Sequence, residues 1–273
     1  MLLCDRERSG QMDLQLGGKH VFIAGASRGI GHGIAEGFLN EGAKVALTAR
    51  SPGPLDETHA DFVKRFGAER LYKHAGNMTE TAAIAAALAG AEAALGPVHT
   101  LIANVGLDDT PPGFDVSDEK WEAGLAQNFL GSMRLAREAL RRVRTRSTEE
   151  RAGFNIIFIS SIAGLEALGT PLTYGSSKAA LNHASQELAK TMGRDGIRVN
   201  TIAPGNIIFP GGDWEKRSTE RPDDWNRWIR REVALKRFGT PREIADVALF
   251  LSSPRASFVT GAVWPVDGGQ LKR

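Results

Sequence analysis

Short runs of consecutive apolar residues alternate along the chain with longer stretches in which apolar residues recur every three or four positions. The runs Val21–Ala24 and Ile156–Ile159 contain no polar residue, which is typical of strands whose two faces are both covered by helices. The pattern predicts seven strands, at His20–Gly25, Lys44–Ala49, Arg70–Ala75, Val98–Ala103, Asn155–Ser160, Arg198–Ile202 and Val263–Val266. The longer stretches predict helices at Ile30–Asn40, Thr79–Leu95, Asp118–Arg144, Tyr174–Met192 and Pro241–Ser252.

Strands and helices alternate without a break in composition, which predicts a single α/β domain with a Rossmann fold, a doubly wound parallel sheet with helices on both faces. We expect the domain to span residues 17–273, after a flexible extension at residues 1–16. Two long segments, Gly106–Ser117 and Asn206–Asp224, follow strands at their carboxyl ends, where open α/β sheets bind their ligands. We expect residues 206–224 to form a lid over the substrate.

Charge and cysteine content narrow the class of protein. The net charge of +2 gives no reason to expect a nucleic-acid or membrane partner, and no apolar run approaches the roughly 20 residues of a membrane span. The single cysteine, Cys4, excludes an internal disulfide and fits a reducing, cytoplasmic location. The six histidines show no metal-ligand spacing, so we expect no metal site.

A glycine-rich loop joins the first strand to the first helix. Glycines allow a tight turn and let the backbone approach a phosphate, while the amides at the helix N-terminus face the anion. Because this loop lies at the first strand–helix junction, it predicts a dinucleotide site. The candidate contacts in it are Gly25, Ser27, Arg28, Gly29, Ile30 and Gly31.

The end of the second strand indicates which dinucleotide binds. An acidic residue there would accept the ribose hydroxyls of NAD, but the sequence reads Ala49-Arg50-Ser51. Arg50 offers a guanidinium suited to a 2′-phosphate, and Arg28 could supply a second cation. We therefore expect NADP(H) to be preferred over NAD(H), with Ser51 beside the phosphate; the alternative is that both arginines are ordinary solvated side chains.

Tyr174 and Lys178 are four residues apart in a predicted helix and so share one face. A lysine ammonium near a tyrosine favours the phenolate and lowers the pKa of the phenol towards working pH. Such a tyrosine can donate a proton to a carbonyl oxygen or remove one from an alcohol. Taken alone, the spacing is also compatible with an ordinary surface helix.

Six motifs in order along the chain give this pair its context. They are GASRGIG at 25–31, ANVG at 103–106, Asn128 in QNFLG, Ser161 in ISSIAG, Tyr174 with Lys178, and IRVNTIAPG at 197–205. Over residues 16–269 the chain resembles the short-chain dehydrogenase/reductase family. Four positions depart from the family's frequent residues, namely Ala24, Asn77, Val105 and Phe209. Phe209 stands where a threonine often contacts the cofactor.

The resemblance implies a role for each motif. Tyr174 is the proton donor or acceptor, and Lys178 tunes it and binds the nicotinamide ribose. Ser161 polarises the substrate oxygen, and Asn128 holds a water that links Lys178 to solvent. Further cofactor contacts implied by the resemblance are Asn77, Met78, Asn104, Gly106, Pro204, Gly205 and Ile207.

The expected protein is an NADP-dependent oxidoreductase that interconverts a carbonyl and a secondary alcohol. The resemblance to 3-oxoacyl-[acyl-carrier-protein] reductases suggests a 3-oxoacyl thioester substrate, with a sugar, steroid or xenobiotic ketone as alternatives. A non-catalytic protein that senses NADP is an alternative of another class. The resemblance also implies a homotetramer built on the helices at Asp118–Arg144 and Tyr174–Met192.

Two clusters leave alternatives open. The arginines between residues 141 and 151 are compatible with a solvated helix end or with a docking site for a carrier protein or nucleotide. Trp214, Trp225 and Trp228 either pack the lid or form a wall of the substrate pocket.

Overall fold

The computed structural model describes residues 13–106 and 113–272 of the chain. Cys4, most of the expected N-terminal extension and residues 107–112 of the first long segment lie outside the described residues. Leu16 is 3% exposed and Leu14 packs against the core. The packed domain therefore begins before residue 17, because the apolar side chains of this segment cover the core instead of remaining in solvent.

The strands form one parallel sheet in the order β3-β2-β1-β4-β5-β6-β7, which confirms the predicted doubly wound α/β fold. Its strands are β1 His20–Ala24, β2 Lys44–Ala49, β3 Leu71–Ala75, β4 Val98–Ala103, β5 Asn155–Ile159, β6 Arg198–Pro204 and β7 Val263–Val266. Each predicted strand has a counterpart, with ends that differ by at most two residues.

Helices lie on both faces of this sheet. The α-helices of residues 13–106 and 113–272, on the sheet and beside it, are α1 Gly29–Asn40, α2 Pro52–Phe66, α3 Thr81–Leu95, α4 Asp118–Leu125, α5 Gly131–Val143, α6 Thr148–Ala152, α7 Leu172–Met192, α8 Asp213–Glu220, α9 Pro222–Glu232 and α10 Pro241–Ser252. One turn of π-helix, Ala126–Leu130, joins α4 to α5, so the predicted long helix Asp118–Arg144 is continuous but widened at its middle.

The core consists of two clusters, one on each face of the sheet. Successive residues of β1 alternate between them: Val21 and Ile23 belong to one cluster, and Phe22 and Ala24 to the other. The first cluster is completed by α1, α2 and α10, and the second by α3, α5 and α7. Burial on both faces explains why the strands read as unbroken apolar runs.

The segment 206–224, predicted from the sequence as a long loop, is different in the structure. Residues 213–220 form α8 and α9 begins at Pro222, so most of the segment is helical. Helix α2 was also absent from the sequence prediction, although Ser51 followed by Pro52 is a helix-start signal. In α2, Leu55 and Phe62 are buried against the sheet.

Candidate active site

The candidate site lies where the strand order reverses. The chain runs from β1 to β2 and β3 on one side of the sheet, and from β4 to β5, β6 and β7 on the other. The crevice outside the carboxyl ends of β1 and β4 is therefore the expected ligand site of this fold. Four candidate residues lie at carboxyl ends of the strands. Gly25 and Asn104 directly follow β1 and β4, Ser161 is the second residue after β5, and Pro204 is the last residue of β6.

The glycine-rich loop is shaped by contacts that no larger residue would allow. Asn104 Nδ2 donates a hydrogen bond to the carbonyl oxygen of Gly25 at 2.9 Å. A Cβ at Gly31 would lie 2.0 Å from that same oxygen. Gly25 and Gly29 have φ values of +71° and +59°, in the region that favours glycine. The result is an open cradle at the N-terminus of α1, which fits a pyrophosphate.

Neighbouring segments hold the loop in place. Thr58 Oγ1 in α2 donates a hydrogen bond to the carbonyl oxygen of Ser27 at 3.0 Å. Arg28 is the residue directly before α1; its side chain is exposed and its backbone is extended. Ile30 lies in the first turn of α1 and packs against the first core cluster.

The expected adenosine end of the crevice follows β2 and β3. Arg50 lies exposed directly after β2, and its Nη2 donates a hydrogen bond to Gln127 Oε1 at 2.8 Å. Ser51 is the residue before α2. Asn77 lies after β3, where its Oδ1 accepts from the Thr79 amide at 3.2 Å, and Met78 beside it is buried.

Tyr174 and Lys178 lie in α7, whose N-terminal half approaches the end of β5. Lys178 is 3% exposed, and its Nζ donates a hydrogen bond to the carbonyl oxygen of Ile159 at 3.1 Å. That Nζ lies 5.7 Å from the centroid of the Tyr174 ring. Burial lowers the pKa of Lys178 to about 8. The ammonium is therefore held close to the phenol in a dry position.

The two serines at the end of β5 have different environments. Ser160 is buried, and its hydroxyl donates to the carbonyl oxygen of Lys178 at 3.3 Å. Ser161 is partly exposed, and its Oγ accepts a hydrogen bond from the Ala163 amide at 3.1 Å. Ser160 is therefore bonded inside the protein, and Ser161 is the more accessible hydroxyl of the two and stays the predicted catalytic serine.

Asn128 lies in the π-turn and is 1% exposed. Its Nδ2 donates to the carbonyl oxygen of Gly124 at 3.1 Å. A Cβ at Gly106 would lie 3.2 Å from Asn128 Oδ1 and 2.9 Å from Lys178 Nζ. The asparagine amide and the lysine ammonium therefore meet at the backbone of Gly106, and the missing side chain there leaves them room.

The chain after β6 crosses back to the glycine-rich loop. Gly205 donates its amide to the carbonyl oxygen of Val266 at 3.0 Å, and Ile207 forms a β-bridge with Gly239. The Phe209 ring lies against Gly29, with its Cζ 2.7 Å from the position that a Cβ of that glycine would take. Phe209, which stands where the family often has a threonine, thus places a phenyl ring at the edge of the glycine cradle.

Aromatic residues in and after the segment 206–224 pack on one another. The Trp214 ring lies 5.2 Å from Trp225, 5.7 Å from Trp228 and 5.6 Å from Phe238, measured between centroids. The Arg217 guanidinium lies 5.2 Å from the Trp214 centroid. These contacts favour the packing interpretation of the tryptophans, and a role in the substrate wall stays a prediction.

The arginine run after residue 140 is largely used in ion pairs. Arg142 and Arg146 both bind Glu92 of α3 at 2.6 Å, and Arg141 binds Glu138 at 3.0 Å. Burial would raise the pKa of Glu92, but the bonds from the two arginines outweigh it and lower the pKa. This pattern favours a structural bridge between α3 and α5 over a docking site.

Within residues 13–106 and 113–272, no group of three or more His, Cys, Asp or Glu side chains is placed to hold a metal ion. No helix in the same ranges is long and apolar enough to span a membrane.

Nearly the whole chain is similar in sequence to known proteins. A family model described as enoyl-(acyl carrier protein) reductase matches residues 25–270. Isoepoxydon dehydrogenase of Aspergillus clavatus is 38% identical over 259 residues, covering 93% of this chain and 95% of the relative. The 3-oxoacyl-[acyl-carrier-protein] reductase MabA of Mycobacterium tuberculosis is 32% identical over 251 residues, 92% of each chain.

The solved structures include a similar fold with bound ligands. L-sorbose reductase from Gluconobacter frateurii, complexed with NADPH and L-sorbose, aligns with a TM-score of 0.86 and 32% identity. The alignment covers 96% of this chain and 100% of the sorbose reductase.

Proposed function

Because the chain belongs to the short-chain dehydrogenase/reductase family, we propose that it is an NADP-dependent oxidoreductase that interconverts a carbonyl and a secondary alcohol. The observation that carries the proposal is the buried Lys178 ammonium beside the Tyr174 ring, at the end of the strand that leads to Ser161. A non-catalytic NADP sensor would have no need of this arrangement.

Tyr174 transfers the proton in this mechanism. Its hydroxyl donates to the carbonyl oxygen during reduction and accepts from the alcohol during oxidation. The nearby positive charge of Lys178 favours the phenolate, which makes proton release easier. Ser161 holds the reacting oxygen by a hydrogen bond. When bound, NADP(H) supplies or accepts the hydride.

Lys178 and Asn128 form the route by which the proton reaches solvent. They converge at the backbone of Gly106, and Asn128 Oδ1 can accept from a water that in turn contacts the ammonium. The bond from Asn128 to Gly124 fixes the amide orientation. Asn128 would thus hold a relay water without reacting itself.

The cofactor site suits NADP(H). The glycine cradle has room for the pyrophosphate and is held at Gly25 by Asn104. The family positions Pro204, Gly205 and Ile207 lie at and after the end of β6, in the segment whose Phe209 ring reaches Gly29. Arg50 follows β2 with Ala49 before it, so the ribose end offers a cation and no carboxylate. The NADPH complex of L-sorbose reductase supports this choice.

A free small-molecule carbonyl is the favoured substrate class. Isoepoxydon dehydrogenase and L-sorbose reductase are named for small molecules that are not attached to a carrier. A 3-oxoacyl thioester remains the second candidate, supported by the likeness to MabA. An acidic carrier protein would be bound by a surface with excess positive charge. Asp195, in the turn after α7, instead places a carboxylate 3.7 Å from the Arg151 guanidinium and neutralises that charge.

We further propose that the protein is cytoplasmic and that it assembles as a homotetramer.

The test is turnover with a panel of sugars, cyclic ketones and 3-oxoacyl thioesters, followed by NADPH absorbance. With an active substrate, Tyr174→Phe should lower kcat by about 10²–10⁴-fold. NADPH binding should persist because the change removes only one hydroxyl. A variant that keeps most of the wild-type kcat would contradict the role of Tyr174, and a wild type that binds NADPH but turns over nothing would favour the sensor.

A further inference from the structure

One hydrogen bond spans the crevice at its expected adenosine end. Arg50 follows β2, whereas Gln127 belongs to the helical connection after β4, and the two strands lie on either side of β1. The bond from Arg50 Nη2 to Gln127 Oε1 is 2.8 Å long and joins residues 77 positions apart in the sequence. It therefore links the two halves of the fold across the place where a dinucleotide binds.

The π-turn explains how Gln127 reaches this position. A single widened turn changes the direction of the side chains in and after it, and such turns occur frequently at functional sites. Within the turn, Asn128 faces inward to Gly124 and the Lys178 region, while the half-buried Gln127 faces Arg50. Neighbouring residues of one turn thus serve opposite ends of the crevice.

The chemistry of the pair fits an anionic ligand. A glutamine oxygen accepts a bond from the guanidinium without adding negative charge, and the bond uses only one of the five N–H donors of arginine. Other arginines of this protein pair with carboxylates, as Arg237 does with Glu243 and Arg142 with Glu92, both at 2.6 Å. A carboxylate at residue 127 would cancel the charge that a 2′-phosphate needs.

We propose that Gln127 is a positioning residue that holds Arg50 over the crevice and thereby sets the preference for NADP(H), an inference that rests on the proposed cofactor. Because Arg50 is exposed on a long flexible side chain, ordering it at the moment of binding costs entropy. The bond to Gln127 restricts the side chain beforehand. The preference then depends on a residue outside the glycine-rich loop and β2.

The experiment measures the dissociation constants of NADPH and NADH by calorimetry for wild type, four single variants and one double variant. Gln127→Met keeps the length of the side chain but removes the acceptor. It should raise the dissociation constant of NADPH by about three- to tenfold and leave that of NADH unchanged. Gln127→Glu should raise the dissociation constant of NADPH by about tenfold or more, because the new carboxylate pairs with Arg50 and repels the 2′-phosphate. Arg50→Met reports the role of the cation, and Arg144→Met, which removes an exposed arginine at the end of α5, controls for overall charge.

The outcomes separate the two proposals. In a double variant, Gln127→Met should add nothing once Arg50→Met is present, since Gln127 acts through Arg50. If Arg50→Met lowers the NADPH/NADH preference but Gln127→Met does not, the positioning role is overturned and the cofactor proposal stands. If wild type does not favour NADPH, or Arg50→Met leaves the preference unchanged, the cofactor proposal itself fails. Equal weakening of NADPH and NADH by Gln127→Met would indicate structural damage and would also overturn the inference.

Discussion

Removing the buried charge of Lys178 should change how the stability of the protein depends on pH. Burial lowers the pKa of this ammonium from the ordinary value of 10.5 to about 8 in the folded protein. In the unfolded chain the lysine returns to water and its ordinary pKa. The unfolded state therefore holds its proton more tightly, and the charged lysine destabilises the fold at all pH values below about 8.

The size of the effect follows from the two pKa values. Each pH unit between them corresponds to about 1.36 kcal/mol, so the full cost is about 3 kcal/mol. This cost disappears as the pH rises through the folded pKa towards the unfolded one. Relative to Lys178→Met, wild type should therefore gain about 2–3 kcal/mol of unfolding free energy between pH 7 and pH 10. The lost hydrogen bond to the Ile159 carbonyl affects the variant similarly at both pH values.

The assay is urea unfolding of cofactor-free protein at pH 7 and pH 10, followed by circular dichroism. Lys190→Met is the matched control, because Lys190 lies exposed on the same helix, α7. The unfolding free energy of Lys190→Met should differ from that of wild type by the same amount at pH 7 and at pH 10. If the difference in unfolding free energy between wild type and Lys178→Met is the same at both pH values, burial does not lower the pKa of Lys178, which would contradict the dry position of the ammonium beside Tyr174.

Three further predictions concern the cradle, the lid and the assembly. Gly31→Ala should abolish NADPH binding, because its Cβ would lie 2.0 Å from the Gly25 oxygen, whereas Gly53→Ala in α2 has open space and should bind normally in the same calorimetric titration. Amide exchange across residues 206–224 should slow when NADP(H) and a substrate analogue bind, and unchanged rates would remove the lid from the mechanism. Light scattering should show a homotetramer, and a monomer near 29.4 kDa at micromolar concentration would contradict it.

The parts of this fold that the sequence predicts well depend on local pattern. Strands buried on both faces read as apolar runs, so β2, β4 and β7 were predicted with the ends that the structure shows. The motif around Tyr174 and Lys178 was equally readable, because a helix brings residues four apart onto one face.

The parts that were missed depend on contacts between distant residues. Helices α8 and α9 carry few buried apolar residues, and their tryptophans pack mainly on one another and on Phe238. The π-turn leaves no pattern in the apolar spacing of the helix. The bond between Arg50 and Gln127 joins two segments far apart in the sequence, so only the folded sheet brings them together.

The central claim is that this chain moves hydride between NADP and a carbonyl carbon, with Tyr174 as the proton donor. The most direct measurement uses NADPH that carries deuterium at both hydrogen positions of nicotinamide C4, together with a ketone substrate found in the panel. Mass spectrometry of the product alcohol should show one deuterium on the carbinol carbon with wild type. Tyr174→Phe should form about 10²–10⁴-fold less of this product in the same time, although that variant still binds NADPH. An alcohol that carries no deuterium, or equal product from Tyr174→Phe, would contradict the account.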